Sequence, residues 1–276
     1  MEWGLTSTLA LGFRPAQGLP PPNGAGDPTG GPATTGRLPT VVVVPAPAKL
    51  TLSLRVVGVR PDGYHQIDAE MVTLDLADQL TFSEGDGLEV VGDAGGQDVP
   101  VDDENLVRRA LAAVGRRAHV RLAKRIPAGA GLGGGSADAA AVFRWAGVDD
   151  AELAAKVGAD VPFCLRGGRA RVRGIGESVE PLAPIDAAFT LLTPPFGCST
   201  RAVYRAWDRL GGPSGAGRND LESAALLVEP RLARYRDRLG EATGVTPVLA
   251  GASTWFVEGD HPGEGRIVTR TSTPPS

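Results

Sequence analysis

The chain predicts an α+β fold in two domains, on three observations. Strand and helix patterns come in mixed order, without the strict alternation of a doubly wound sheet. A glycine-rich segment joins a strand pattern directly to an alanine-rich helix pattern at Ser136 to Ala146. Pro181 and Pro184 break the periodicity between a first domain at residues 40–184 and a second at 185–265. With 276 residues, 42% of them hydrophobic and 22% charged, the chain can bury an ample core. Residues 1–39 hold seven of the 23 prolines, eight of the 38 glycines and few charges, and read as a disordered N-terminal extension. Residues 266–276 read as a tail.

Each element follows from local pattern. Val41 to Val44 is a β-branched run, and Leu50, Leu52, Leu54 and Val56 alternate with polar residues as in a strand. Pro61-Asp62-Gly63 is a turn signal. Met71 to Leu76 and Leu80 to Phe82 read as strands. Asp103 to Val114 reads as a helix capped by Asp102 or Asp103, because Leu106, Val107, Ala110, Leu111 and Val114 share one face. Ala118 to Ile126 is a strand pattern, and Gly147 ends the helix behind the glycines. A short helix at Asp150 to Val157 and a β-rich stretch to Val179 complete the first half. The second half opens with a strand at Ala188 to Leu192 and a turn at Pro194 to Gly197. Helices follow at Arg201 to Leu210, Leu221 to Val228 and Glu229 to Leu239. Pro247 to Ala250 and Trp255 to Glu258 flank a turn of small residues.

Composition excludes several classes. A net charge of -4 leaves no basic footprint for nucleic acid or an anionic membrane. No apolar run approaches the ~18 residues of a membrane span. No export signal is present, so the expected compartment is the cytoplasm. Cys164 and Cys198 form no Cys-x-x-Cys pair and sit in apolar company, which predicts buried free thiols rather than a disulfide or a zinc site. No metal site is expected from protein ligands alone.

The chemistry concentrates in residues 127–137: Pro127, Ala128, Gly129, Ala130, Gly131, Leu132, Gly133, Gly134, Gly135, Ser136 and Ala137. Glycines permit positive φ and let a ligand approach bare N–H groups. A helix starting immediately behind them adds unpaired donors and the positive end of its dipole. Together they predict a polyanion site, most simply a phosphate chain. A Walker A loop needs a lysine after its last glycine, and the chain's three lysines, Lys49, Lys124 and Lys156, lie elsewhere. The dinucleotide fingerprint fits only loosely.

The string Pro-x-x-x-Gly-Leu-Gly-Gly-Gly-Ser-x-Asp-Ala-Ala resembles the phosphate loop of the GHMP kinases. Four further segments narrow the resemblance: Pro47-Ala48-Lys49-Leu50, Arg60-Pro61-Asp62-Gly63-Tyr64-His65, Gly158-Ala159-Asp160-Val161-Pro162-Phe163 and Arg218-Asn219-Asp220-Leu221-Glu222. With the loop they resemble the 4-diphosphocytidyl-2-C-methyl-D-erythritol kinases, from about Val41 to Glu258. The resemblance implies the two-domain GHMP kinase fold, with an N-terminal ATP-binding α/β domain and a C-terminal ferredoxin-like α+β domain. It implies ATP-dependent phosphorylation of the 2-hydroxyl of a cytidylylated sugar alcohol in the non-mevalonate isoprenoid route, with Mg2+ carried by the nucleotide. The alternatives are another small-molecule GHMP kinase or a catalytically weak nucleotide-binding relative. The implied partner is a small molecule, with no nucleic acid or membrane, in a monomer or weak homodimer.

By the same resemblance Lys49 and Asp160 are the catalytic pair. A carboxylate can take the proton of an alcohol attacking a γ-phosphoryl group, and a lysine can steady charge on the reacting oxygens. Alone, Asp160 reads as a helix-terminal or turn aspartate and Lys49 as a solvated strand-end lysine. Residues 127–137 would hold the nucleotide, with Ser136 both the N-cap and a neighbour of the phosphates. Thr51, Tyr64, His65, Thr200 and Tyr204 would hold the substrate: His65 bonding the cytosine, Tyr64 and Tyr204 as aromatic faces, Thr200 supporting Lys49 or substrate. Two departures stand out. Thr51 replaces the family's usual asparagine, and residues 249–256 depart from its usual third glycine motif, which predicts strain at a non-glycine with positive φ around Gly251-Ala252-Ser253.

Overall fold

The computed structural model describes residues 41–212, 215 and 217–273. The extension expected at residues 1–39 lies outside them. Pro39–Ser276 forms one compact unit, built on two sheets that part near residue 185.

The first sheet contains β1 (Val42–Val59), β2 (His65–Ser83), β3 (Gly87–Gly92), β4 (His119–Lys124), β5 (Arg169–Gly174) and β6 (Ser178–Pro181). β2 is its hub. One edge pairs with β1 along most of its length, while the other is shared by β4 at Gln79–Ser83 and β5 at Ile67–Val72. The two strands expected at 41–44 and 50–56 are one strand of 18 residues. Pro45 and Pro47 do not end it, because among the described residues β1 pairs with no strand but β2, and an edge tolerates residues without N–H donors. Similarly, the two strands read at 71–76 and 80–82 are both parts of β2.

Helix α1 (Leu106–Ala113) makes the crossover between the parallel pair β3 and β4. Its cap is Asn105, whose side chain accepts from Val107 N, rather than Asp102 or Asp103. Helix α2 (Gly134–Ala146) buries an unbroken run from Ala137 to Phe143. Small alanines let its backbone approach β1 closely. Gly147 closes it in the left-handed conformation, φ 68°. α3 (Ala151–Val157) is the short helix expected, capped by Asp150. α4 (Val161–Arg166) follows, over Val161 to Phe163, for which the sequence pattern names no element, and the start of the β-rich stretch expected after them.

The second sheet contains β7 (Ala188–Leu192), β8 (Val248–Ala250), β9 (Thr254–Glu258) and β10 (Arg266–Arg270) in the order β10-β7-β9-β8, all antiparallel. That is the 4-1-3-2 order of a ferredoxin-like sheet. Helices α5 (Thr200–Arg209), α6 (Glu222–Val228) and α7 (Leu232–Thr243) make its first crossover. The second crossover, between β9 and β10, is a loop without a helix. The residues expected to form a tail, 266–276, instead begin with an edge strand, and no helical pattern precedes it. No helix among the described residues is long and apolar enough to cross a membrane.

A buried apolar cluster lies where the sheets meet. It joins Leu50 and Leu52 of β1, Leu74 of β2, Phe189 and Leu191 of β7, and Phe256 of β9 to Ile126, Ala130 and Leu132 of the glycine-rich segment. The Arg218–Glu222 motif locks the same junction. The Leu54 N–H donates to the carbonyl of Arg218, and the Leu54 carbonyl accepts from the N–H of Asp220. Asp220 also accepts from Arg55 and from Val56 N. Buried Asn219 donates to the carbonyls of Leu249 and Gly251 at 2.9 Å each and accepts from Leu221 N at 2.9 Å. Asn219→Ala leaves two buried backbone groups and one partly buried one without these bonds and is expected to lower stability by about 3 kcal/mol, read as a fall in the urea midpoint at constant slope. A loss under about 1 kcal/mol would show that the junction does not depend on it.

Candidate active site

The site begins where β1 changes register between Pro47 and Lys49. There the Lys49 N–H donates to the carbonyl of Leu132 at 3.0 Å and ties the strand to the glycine-rich loop. Next to it Gly133 has φ +70°, and a Cβ on it would come within 2.7 Å of Lys49 Cγ. Only glycine meets both demands. The lysine side chain is thereby pressed into the fold, 5% exposed. Its Nζ donates to Thr51 Oγ1 at 3.1 Å and lies 3.4 Å from Asp160 Oδ2. Thr51 thus reaches the lysine with its shorter hydroxyl. Asp160 occupies the N-cap position of α4, yet its side chain makes no capping bond and faces Lys49 instead.

The loop runs from β4 into α2. Helix α2 starts at Gly134, with left-handed Gly133 as N-cap and no side-chain cap. Ser136 is therefore the third helical residue and not the cap expected, since the glycine turns the chain into the helix sooner. No side chain competes for the first-turn N–H groups, which suits an anion. The third loop clasps this segment from below: Ser253 Oγ donates to Gly129 O at 2.8 Å and Thr254 Oγ1 to Ala130 O at 2.7 Å. The strain expected there is absent. Among the described residues no non-glycine has positive φ, and Gly251 alone carries the turn at φ +60°.

Behind the loop lies a group the sequence reading missed. Lys124 Nζ bridges Asp78 and Asp138, all three buried, at 2.9 Å from Asp138 Oδ2. Asp78 Oδ1 also accepts from the N–H groups of Arg125 and Ile126, which fixes the start of the loop. Asp138 Oδ1 has no hydrogen-bond partner among the described residues. Burial, with Lys124 opposing it, pushes the Asp138 carboxyl up to about 7. Burial works against the Lys124 charge, but Asp138 and Asp78 outweigh it and raise the ammonium above its ordinary value. One sign was available: a lysine inside a strand pattern is unusual in a chain with 28 basic residues, only three of them lysine.

A cavity of about 870 Å³ connects these parts. It is lined by Lys49, Thr51 and Asp160, and by the loop from Pro127 through Ser136. Tyr64, His65, Thr200 and Tyr204 also line it. The site residues expected from sequence therefore share one cavity, except Ala137, which turns into the core. Tyr64 and His65 arrive on the turn at Gly63 (φ +84°), and Thr200 and Tyr204 on the first turns of α5. Burial, then the Asp160 charge, pushes the Tyr204 hydroxyl up to about 12, so it keeps its proton. The far wall, from Asn105, Leu106 and Arg109, carried no sequence signal. Cys164 is buried as expected, its thiol pushed up to about 12 by burial, while Cys198 is only half-buried.

The raised Asp138 carboxyl has a consequence for stability. The folded protein holds a proton there that the unfolded chain releases above about pH 4. That contribution is complete below the unfolded value and is lost as pH rises through about 7. Asp138→Asn keeps the acceptor for Lys124 and removes the titration. The melting temperature of the variant relative to the parent is expected to climb between about pH 5 and about pH 8. Parallel melting curves for both proteins across that range would show that Asp138 does not titrate.

Residues 105–168 match the GHMP kinases N terminal domain. The chain is 39% identical over 252 residues to the 4-diphosphocytidyl-2-C-methyl-D-erythritol kinase of Pelotomaculum thermopropionicum, covering 77% of this chain and 86% of that one. It is 40% identical over 218 residues to the enzyme of the same name from Moorella thermoacetica, covering 72% and 73%. The fold matches a crystal structure of 4-(cytidine 5'-diphospho)-2C-methyl-D-erythritol kinase with a TM-score of 0.65 and 32% identity, over 84% of this chain and all of that one. Mevalonate pyrophosphate decarboxylase from Streptococcus pyogenes shares the fold, with a TM-score of 0.57 at 10% identity over 86% of this chain and 98% of that one. Likeness of this extent, over sequence and fold alike, makes the chain a member of the 4-diphosphocytidyl-2-C-methyl-D-erythritol kinase family of GHMP kinases.

Proposed function

We propose that this protein transfers the γ-phosphoryl group of ATP to the 2-hydroxyl of 4-diphosphocytidyl-2-C-methyl-D-erythritol, in the non-mevalonate route to isoprenoids. The observation that carries the reading is the Lys49–Asp160 ion pair of 3.4 Å, in one cavity with an uncapped helix start and a cluster of aromatic side chains.

In this reading the loop N–H groups and the first turn of α2 receive the phosphates of ATP. Residues Gly129 to Ser136 fit a polyphosphate because nothing caps the helix and the loop backbone is fixed from behind. The Ser136 hydroxyl would lie near the Mg2+ carried by the nucleotide. Mg2+ supplies neutralisation of charge on the β- and γ-phosphates. Tyr64, His65 and Tyr204 hold the cytosine, and Thr200 stands at the start of the same helix. The substrate hydroxyl oxygen attacks the γ-phosphorus, a new O–P bond forms, and the bond from phosphorus to the β,γ-bridging oxygen breaks. ADP leaves, and the hydroxyl proton passes to the Asp160 carboxylate. Lys49 steadies the charge developing on the attacking and phosphoryl oxygens. Use of ATP and a small metabolite suits a cytoplasmic enzyme.

The reading of a weakened relative rests on the altered third loop and on the short stretch between α2 and Asp160; the unstrained backbone at Gly251 speaks against the first of these. A panel of alcohols separates the remaining alternative, another small-molecule GHMP kinase: phosphorylation is expected only of the cytidylylated one. Asp160→Asn is expected to lower kcat by at least ~10²-fold with little change in KM. Lys49→Ala should lower kcat and raise the KM for ATP, and the double variant should be less impaired than the product of the two effects. An asparagine variant that keeps more than about half of kcat while chemistry limits the rate would remove Asp160 as the base.

A further inference from the structure

Helix α5 ends with a residue that its own electrostatics do not explain. Asp208 lies in the last turn, where the helix dipole favours cations over anions. Its Oδ1 accepts from His65 Nε2 at 2.7 Å. One turn earlier Tyr204 stacks on the same imidazole, with centroids 4.6 Å apart and planes at 28°. Trp207 meets the ring edge-on at 5.6 Å. One helix thus supplies three contacts to one ring, and that ring lines the cavity.

A carboxylate can only accept, so this contact requires the proton on Nε2. The remaining ring nitrogen, Nδ1, has no hydrogen-bond partner among the described residues. We propose that Asp208 is a positioning residue for base recognition: by holding the Nε2–H of His65 it leaves Nδ1 as the acceptor that meets the exocyclic amine of a cytosine. The proposal rests on the assignment of His65 to the base in the kinase reading. The Nδ1 lone pair of a neutral ring attracts an amine and repels the carbonyl that uracil presents in its place. Discrimination between the two pyrimidines then depends on a residue that does not itself touch the base.

The test is Asp208→Ala, in a half-exposed helical position where alanine is well tolerated. Calorimetric titration with cytidine diphosphate and uridine diphosphate reads base affinity directly, and steady-state kinetics read turnover. Affinity for cytidine diphosphate is expected to fall about 10-fold, the worth of one charge-assisted hydrogen bond. The KM for the cytidylylated alcohol should rise by about the same factor, with kcat and the KM for ATP unchanged. The preference for cytidine over uridine diphosphate should shrink. The ¹⁵N signals of His65 should move from the Nε2-protonated tautomer towards a mixture, which a purely structural role would not cause. Asp208→Asn, which retains an acceptor oxygen, should recover part of the affinity. Cytidine diphosphate affinity within about two-fold of the parent, or an unchanged tautomer, overturns the assignment. If the parent does not phosphorylate the cytidylylated alcohol yet loses cytidine diphosphate affinity in Asp208→Ala, the kinase reading falls and the role of Asp208 stands.

Discussion

The hydrogen bond from the Lys49 N–H to the Leu132 carbonyl is the contact on which the site depends. It exists because β1 slips register after Pro47 and because β1 is an edge, so a backbone donor is free to bind a loop. Everything nearby is set by it. The loop comes so close that residue 133 can carry no side chain, and the lysine stem is pinned between strand and loop. A pinned stem delivers Nζ to Thr51 and Asp160 without the rotamer entropy an exposed lysine would lose.

The loop itself would be floppy on its glycine content alone. Three devices hold it. Ile126, Ala130 and Leu132 anchor it in the apolar junction between the sheets. Ser253 and Thr254 bind the carbonyls of Gly129 and Ala130. Asp78 binds the N–H groups at its entrance. What remains unbound is the face towards the cavity, so the loop is fixed where it touches protein and open where it meets ligand. Pre-organisation of this kind lowers the ordering cost of binding.

Much of this could be read from sequence, and the remainder could not for definite reasons. Glycine spacing before an alanine-rich helix marks an anion loop because few other structures need those residue types together. The turn at Asp62-Gly63 is local, so its place was legible too. Lys124, Asp78 and Asp138 were not, since they lie on three separate elements and meet only through tertiary pairing of β2, β4 and α2. The N-cap moved from Ser136 to Gly133 because left-handed glycine outcompetes the serine side chain in ending the loop. Residues 251–253 depart from the motif in sequence but not in backbone strain. In the fold, one glycine carries the turn and neighbouring hydroxyls do the fastening. β10 escaped notice because a crossover without a helix leaves no periodic signal before it.

The middle of β2, between the stretches paired to β4 and β5, is completed by β10 and the residues just after it. Thr73 binds Ser272 N, Leu74 bridges Thr271, and Asp75 accepts from Thr269 and Arg270 N. The middle of β2 therefore waits for residues synthesised 194 and 195 positions after Asp75. While the chain is still on the ribosome, the centre of its longest strand lacks its closing partners, and the apolar junction beneath the loop lacks β7 and β9. Completion of the site thus has to follow synthesis of β10, and a nascent chain cut short before β10 would expose that unpaired centre to other chains.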